Sequence, residues 1–154
     1  MKIKPNYLAI PLIVVAVAAA GNLFTFQGLG WYGTLRLPAF APGGSFIGLV
    51  WTIIYILAVI SGILFWNAPR RDNFRIITVL FLANALLNAL WSYIFFSLHL
   101  IDLAVWEMLL LNASTVLLIL LLRKYERRSA WLLLPYFIWV SFATYLAYLI
   151  AIAN

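Results

Sequence analysis

Asn84, Asn88, Trp91 and Phe95 stand four, three and four residues apart, the spacing that lines side chains along one face of a helix. Two carboxamides in so apolar a segment are costly unless they face protein, water or a ligand, so this stripe points inward and takes Trp91 with it. Trp51, Tyr55, Ala58 and Gly62 form a second such face. Trp139, Ala143 and Leu146 form a third, with Phe142 and Ala147 at its flanks. Indole and phenol rings offer flat faces for offset stacking, each contact adding about 0.5–1.5 kcal/mol beyond the area it buries. Carboxamides add directed hydrogen bonds, and small residues such as Ala143 and Ala147 leave volume. Together these are the parts of a concave, mostly apolar pocket for a flat aromatic guest. For Trp51 and Trp139 the plainer alternative is helix packing; both lie too far inside their helices to fit an interfacial belt. Trp31, Trp66, Trp106 and Trp131 fall near helix ends, where a tryptophan ring sits at headgroup level.

Other chemistries lack their parts. The chain has no cysteine, which removes disulfides, thiolate metal sites and cysteine nucleophiles. The only histidine, His99, falls in a loop, so neither a bis-histidine haem nor a Ser-His-Asp set within the membrane can be assembled. No carboxylate pair or phosphate-cradling glycine loop occurs, and no metal site is expected. Glu107 lies about a turn and a half inside its helix. Protonated burial in the bundle, a bond to a neighbouring helix, the interface and a proton relay all remain open for it. Asn22, Thr25 and Asn112 are expected as interhelical glue.

The elements that position these residues follow from composition. Of 154 residues, 67% are hydrophobic and 9% charged, against about half and a quarter in soluble domains. So little polar surface cannot coat a water-soluble globule, and the solvent must be lipid. Uncharged stretches cover 5–35, 37–69, 76–98 and 129–154, and a fifth apolar segment, 103–122, holds only Glu107. Roughly 20 apolar residues cross about 30 Å of hydrocarbon as a helix. Backbone groups must be satisfied within each segment, and the stretches are too uniformly apolar for barrel strands. The expected fold is a single-domain, all-α membrane protein over residues 1–154. Its five transmembrane helices lie near 7–26, 44–66, 75–97, 102–123 and 130–152. Lys2 and Lys4 ahead of an apolar run ending in "AVAAAG" have the shape of a signal peptide, but the uncharged run continues well past Ala20.

The net charge of +6 gathers in short clusters between the spans, which favours membrane orientation over nucleic-acid binding. Lys2, Lys4, Arg70, Arg71, Arg75, Arg123, Lys124, Arg127 and Arg128 fall on one side, and Arg36 alone on the other. The amino terminus is therefore expected in the cytoplasm, with the carboxyl terminus and the 27–43 loop across the membrane. That loop carries Pro38 and Pro42 among Gly30, Gly33, Gly43 and Gly44, and is longer than a plain connector. It is expected to fold over the helix ends as a lid, carrying Tyr32 towards Trp51. Arg36 either meets a ligand carboxylate at the pocket mouth or touches lipid headgroups. Gly44-xxx-Gly48 and Ala85-xxx-Ala89 have the spacing for close helix contact, within one chain or between two. No internal repeat is apparent, which argues against an inverted-repeat transporter.

Three stretches taken together resemble the TspO/MBR family, the tryptophan-rich sensory proteins and mitochondrial translocator proteins. The first runs through Trp31-Tyr32, Leu35, Pro38, Pro42 and Gly44 to Trp51 and Tyr55 in "VWTIIY". The second is "NALWSYIFF", with Asn88, Trp91, Ser92, Phe95 and Phe96. The third is "PYFIWVSFATYL", with Pro135, Tyr136, Trp139, Phe142, Ala143 and Leu146. The sequence departs from the family pattern at Phe40, where tryptophan is usual, at Gly43, where a second proline is common, and at Ala147, in place of asparagine. No Lys or Arg follows "AYLIAIAN", which counts against sterol binding of the mitochondrial kind.

The resemblance implies a five-helix protein of the bacterial cell membrane that needs no cofactor. Its ligands would be porphyrins of the protoporphyrin IX kind and synthetic aromatic molecules, held in a pocket beneath the first loop. The implied contacts are Tyr32, Trp51, Tyr55, Asn84, Asn88, Trp91, Phe95, Trp139, Phe142, Ala143 and Leu146, with Arg36 at the mouth. Sensing or transport is the leading reading, and no enzymatic activity is expected of it. Two alternatives stand beside it: light- and oxygen-dependent porphyrin degradation, with Trp51 and Trp139 as electron partners, and a carrier for small apolar molecules. The family's dimers suggest a homodimer through the third helix.

Overall fold

The computed structural model describes residues 4–69 and 73–154. Among them, five spans are long and apolar enough to cross a membrane, and none contains a strand. The first is α1 (Asn6–Tyr32), the second α2 (Gly44–Asn67). The third is α3 (Phe74–Ser92), continued by a π-helical turn over Tyr93–Ser97, and the fourth α4 (Ile101–Tyr125). The fifth comes in two pieces, α5 (Arg127–Leu132) and α6 (Leu134–Ala153).

Two boundaries and one local geometry differ from the sequence expectation. α1 runs to Tyr32 rather than 26, so the loop shrinks to residues 33–43 and Tyr32 sits on a helix instead of in the lid. Gly28 and Gly30 weaken the local helix preference, but in a low-dielectric solvent an unpaired backbone group costs several kcal/mol and outweighs it. The fifth span begins at Arg127 and breaks at Leu133, because Pro135 has no N–H to offer the Trp131 carbonyl and takes a first-turn position. The third span ends in the π turn, where Leu98 N donates to Tyr93 O at 3.0 Å. The extra residue per turn lets Ile94, Phe95 and Phe96 all be buried in succession, which a regular α-helix would splay around its axis.

Close packing uses small residues. A Cβ on Gly28 would overlap the Phe96 backbone carbonyl, so α1 meets the π turn at a distance only glycine permits, and Gly21 lies against Ser92 one helical heptad earlier. Gly44 and Gly48, by contrast, have open space beside them. Ser61 on α2 and Ser129 on α5 interlock without exposure: Ser61 Oγ donates to Ser129 O (2.9 Å) and Ser129 Oγ to Ser61 O (2.8 Å). The main core joins α2, α3, α4 and the fifth span around Ile54, Ile77, Met108, Leu118 and Val140. A second cluster joins the end of α1 to the π turn and α4.

The helix ends sort the charges. Lys4, Arg75, Arg123, Lys124, Arg127 and Arg128 lie at the ends where α1 and α3 begin, α2 and α4 finish and α5 starts. Lys4 Nζ donates to Asn67 Oδ1 across that end (3.1 Å). Lys2, Arg70 and Arg71 lie outside the described residues. At the opposite end Arg36 N donates to Asn154 Oδ1 (2.9 Å) and Asn154 Nδ2 to Arg36 O (3.3 Å), tying the loop to the end of α6.

Candidate ligand-binding site

Asn88 is the centre of the polar network in the bundle. Its Oδ1 accepts from Tyr55 Oη (2.9 Å) and its Nδ2 donates to Tyr136 Oη (3.1 Å), so one carboxamide joins α2, α3 and α6. Trp51, one turn before Tyr55, stacks on that ring (5.5 Å, 28°) and meets Tyr136 edge-on (6.1 Å, 64°). Tyr136 lies three residues before Trp139, so the face of α6 that carries Trp139 is turned towards Trp51. Both indoles pack on the main core. Trp139 meets Phe142 at 5.5 Å and Phe46 at 6.2 Å. The loop lands on the same helix: Phe40 lies over Phe142 and stacks on Tyr145, each at 6.4 Å. Phe40 is thus the ring that closes the loop onto α6.

Two indole donors in this shell, Trp91 Nε1 and Trp139 Nε1, are buried and have no acceptor among the described residues. Both carboxyl oxygens of Glu107, buried on α4, likewise lack a hydrogen-bond partner among the described residues. Such orphans are rare in folded interiors, and each marks a place where another group would be welcome.

The remaining expected contacts separate. Asn84 is committed to helix association, its Nδ2 donating to Ser114 Oγ (2.7 Å) and Thr115 Oγ1 (2.9 Å) on α4. Phe95 is buried in the second cluster, stacked on Trp91 (5.2 Å) with Trp31 edge-on at 5.5 Å. Tyr32 joins that cluster against Phe95 and Phe96, so it packs with the π turn and not with Trp51. Leu146 is buried, Ala143 packs half-buried on the main core, and Ala147 belongs to that core, filling space instead of leaving it. Arg36 is exposed on the loop. Trp31, at the end of α1, stacks on His99 at 4.1 Å, which holds a left-handed backbone with φ 58°. Asn112 does join helices, donating to Ser141 Oγ at 2.8 Å. Asn22 faces outward, however, and Thr25 donates to its own helix at Gly21 O.

A cavity of about 470 Å³ adjoins the Asn88 network on the side away from the loop. Tyr55, Asn84, Asn88 and Tyr136 line its inner end, and Trp66, Asn6 and Pro5 its outer end. Trp51, Trp91, Trp139 and Phe142 are not among its walls. The expectation of open space beneath the loop is therefore displaced: rings fill the loop side, and the cavity runs towards the basic end. Sequence reasoning left Tyr136 out of the site, although the second donor of Asn88 needed a partner on a neighbouring helix.

Residues 9–152 match the model of the TspO/MBR family. The chain belongs to the TspO/MBR family. Among curated proteins it is 37% identical to the tryptophan-rich protein TspO of Bacillus cereus over 128 residues, covering 80% of each chain. It is 33% identical to the uncharacterized membrane protein YtaB of Bacillus subtilis over 155 residues, covering all of this chain and 99% of that one. The human translocator protein is similar at 27% over 124 residues, which cover 79% of this chain and 73% of its own. Family membership agrees with five membrane-crossing helices and with the seven tryptophans of the sequence.

Proposed function

We propose that the protein is a receptor-like membrane protein that binds porphyrins and related flat aromatic molecules between its helices, in a sensing or transport role. The observation that carries this reading is the Tyr55–Asn88–Tyr136 bridge with Trp51 stacked on it, flanked by two indole donors that lack acceptors. A planar conjugated guest supplies what this shell lacks, faces for the rings and acceptor atoms for the N–H groups. The loop covers the shell through Phe40, so entry on this side moves residues 33–43. Arg36, exposed on the loop, would meet a propionate carboxylate at the mouth. We place the basic helix ends in the cytoplasm of a bacterial cell by the positive-inside rule. A homodimer would use the outward face of α3, where Val79, Leu86 and Leu90 are exposed.

Protoporphyrin IX titrated into the purified protein is expected to quench tryptophan emission saturably. Trp51→Leu combined with Trp139→Leu is expected to abolish saturable binding, and unchanged affinity in that variant would remove both residues from the site.

The near-continuous ring contacts among Trp51, Tyr55 and Tyr136 favour a second reading, light- and oxygen-dependent porphyrin degradation with Trp51 and Trp139 as electron partners. A modified pigment formed in multiple turnovers under illumination supports it, whereas recovery of intact porphyrin supports binding alone. Flux of porphyrin into sealed vesicles would identify a carrier.

A further inference from the structure

The cavity on the far side of Asn88 has the dimensions and polarity of a lipid site. Its α1 wall runs from Pro5 to Val17, twelve helical rises or about 18 Å. Half of a hydrocarbon core of about 30 Å is about 15 Å, so the crevice spans one leaflet from the headgroup level to the bilayer centre. Along that length its walls are apolar: Ile10, Ile13 and Val14 on α1 face Ala58 and Phe65 on α2 and Phe81 on α3. Ile13, Trp66 and Leu82 line it and are also exposed on the outer surface, so the crevice opens sideways into the bilayer. A volume of about 470 Å³ so lined, in hydrocarbon, does not stand empty, and water has few partners in it.

The outer end is different. Asn6 lines it and is only 5% exposed, yet its Nδ2 has no acceptor among the described residues. A buried donor without a partner is unfavourable by about 1–3 kcal/mol, so a bound acceptor there would be stabilising. Lys4 stands two residues away, its ammonium bonded among the described residues to a neutral carboxamide, that of Asn67, at 3.1 Å. Arg75 begins α3 at the same end. An apolar slot one leaflet deep that ends in an orphan donor and cations complements one ligand chemistry: an acyl chain bearing ester oxygens and a negative charge.

We infer that the crevice between α1, α2 and α3 holds one acyl chain of an anionic glycerophospholipid from the leaflet at the basic end. Asn6 donates to a glycerol-ester oxygen, and Lys4 and Arg75 attract the phosphodiester. This site is separate from the aromatic shell, shares only the Asn88 network with it, and does not depend on what that shell binds. The shared network gives lipid occupancy a direct contact with Tyr55 and Tyr136.

Native mass spectrometry of the full chain, released from micelles holding equal phosphatidylglycerol and phosphatidylcholine with identical chains, tests it. One phosphatidylglycerol per chain is expected to be retained, about tenfold in preference to phosphatidylcholine. Ala9→Phe with Val14→Phe, both on the α1 wall, fills the crevice and is expected to lower retention at least tenfold while leaving protoporphyrin quenching saturable. Lys4→Gln with Asn6→Leu is expected to erase the headgroup preference. In vesicles of phosphatidylglycerol brominated on its acyl chains, the difference between wild type and Trp66→Phe is expected to show Trp66 emission quenched more strongly than in the brominated phosphatidylcholine equivalent. Equal retention of both lipids, equal quenching by both, or undiminished retention in the filled variant would overturn the assignment. So would stoichiometric displacement of the lipid by protoporphyrin or by a sterol, which would make the crevice part of another site.

Discussion

Asn84 and Asn88 are the same residue type, one turn apart on one helix, yet the structure gives them different work. Asn84 bonds hydroxyls of α4 and holds two helices together. Asn88 bonds two phenols that belong to the aromatic shell. Asn84→Leu is therefore expected to lower stability by about 1–3 kcal/mol and leave porphyrin affinity per folded molecule unchanged. Asn88→Leu is expected to lower stability comparably and to weaken porphyrin binding as well, because Tyr55 and Tyr136 lose the group that fixes their rings. Thermal unfolding in detergent, followed by circular dichroism, and fluorescence titration of the folded fraction separate the two outcomes. Glu107 has the opposite character, 7% exposed with neither carboxyl oxygen bonded among the described residues. Removing a buried polar group that lacks partners relieves its desolvation, so Glu107→Met is expected to raise the thermal midpoint. A lower midpoint would mean that the carboxyl is satisfied by a group such as bound water.

At the scale of elements, α1 is the least buried span, and its attachment depends on a few close approaches. Gly28 is held against the Phe96 backbone, where an added methyl has nowhere to go. Gly28→Ala is expected to be destabilising by about 1–3 kcal/mol, the usual range for overpacking. Gly30, two residues on, has nothing within 4 Å of the same added atom. Gly30→Ala is expected to be neutral or to stabilise by up to about 1 kcal/mol, since alanine is the better helix former. Equal effects in unfolding experiments would refute the close contact between α1 and the π turn. The loop is an element of the same kind, fixed by Phe40 on α6 and by the Arg36–Asn154 pair. Deleting residues 33–41 is expected to change porphyrin affinity; an unchanged value would show that the loop is no lid.

For the molecule as a whole, the basic residues among those described gather at one end, and Arg36 alone of them lies at the other. The absence of cysteine makes orientation directly measurable. In intact bacterial cells a membrane-impermeant maleimide is expected to label Ala39→Cys, in the loop, and to spare Glu126→Cys, between α4 and α5. Permeabilisation is expected to expose the second. The reversed pattern would invert the assignment made from charge.

Composition and uninterrupted apolar length were enough to specify five membrane-crossing helices, because lipid admits few other solutions for the backbone. The three aromatic stretches were enough to specify the family. Helical spacing also brought Trp51, Tyr55 and Asn88 onto inward faces. Spacing, however, says which residues share a face and not what that face meets. That Asn84 binds α4, that Tyr32 and Phe95 pack with the π turn, and that Ala147 fills the core all depend on how neighbouring helices are rotated and how closely they approach. The break before Pro135, the extra residue in the π turn and the contact at Gly28 set those rotations, and each acts through partners distant in the chain. The cavity is decided in the same way. It lies in the space left between α1, α2 and α3, and a gap between helices belongs to their arrangement, not to any one segment of sequence.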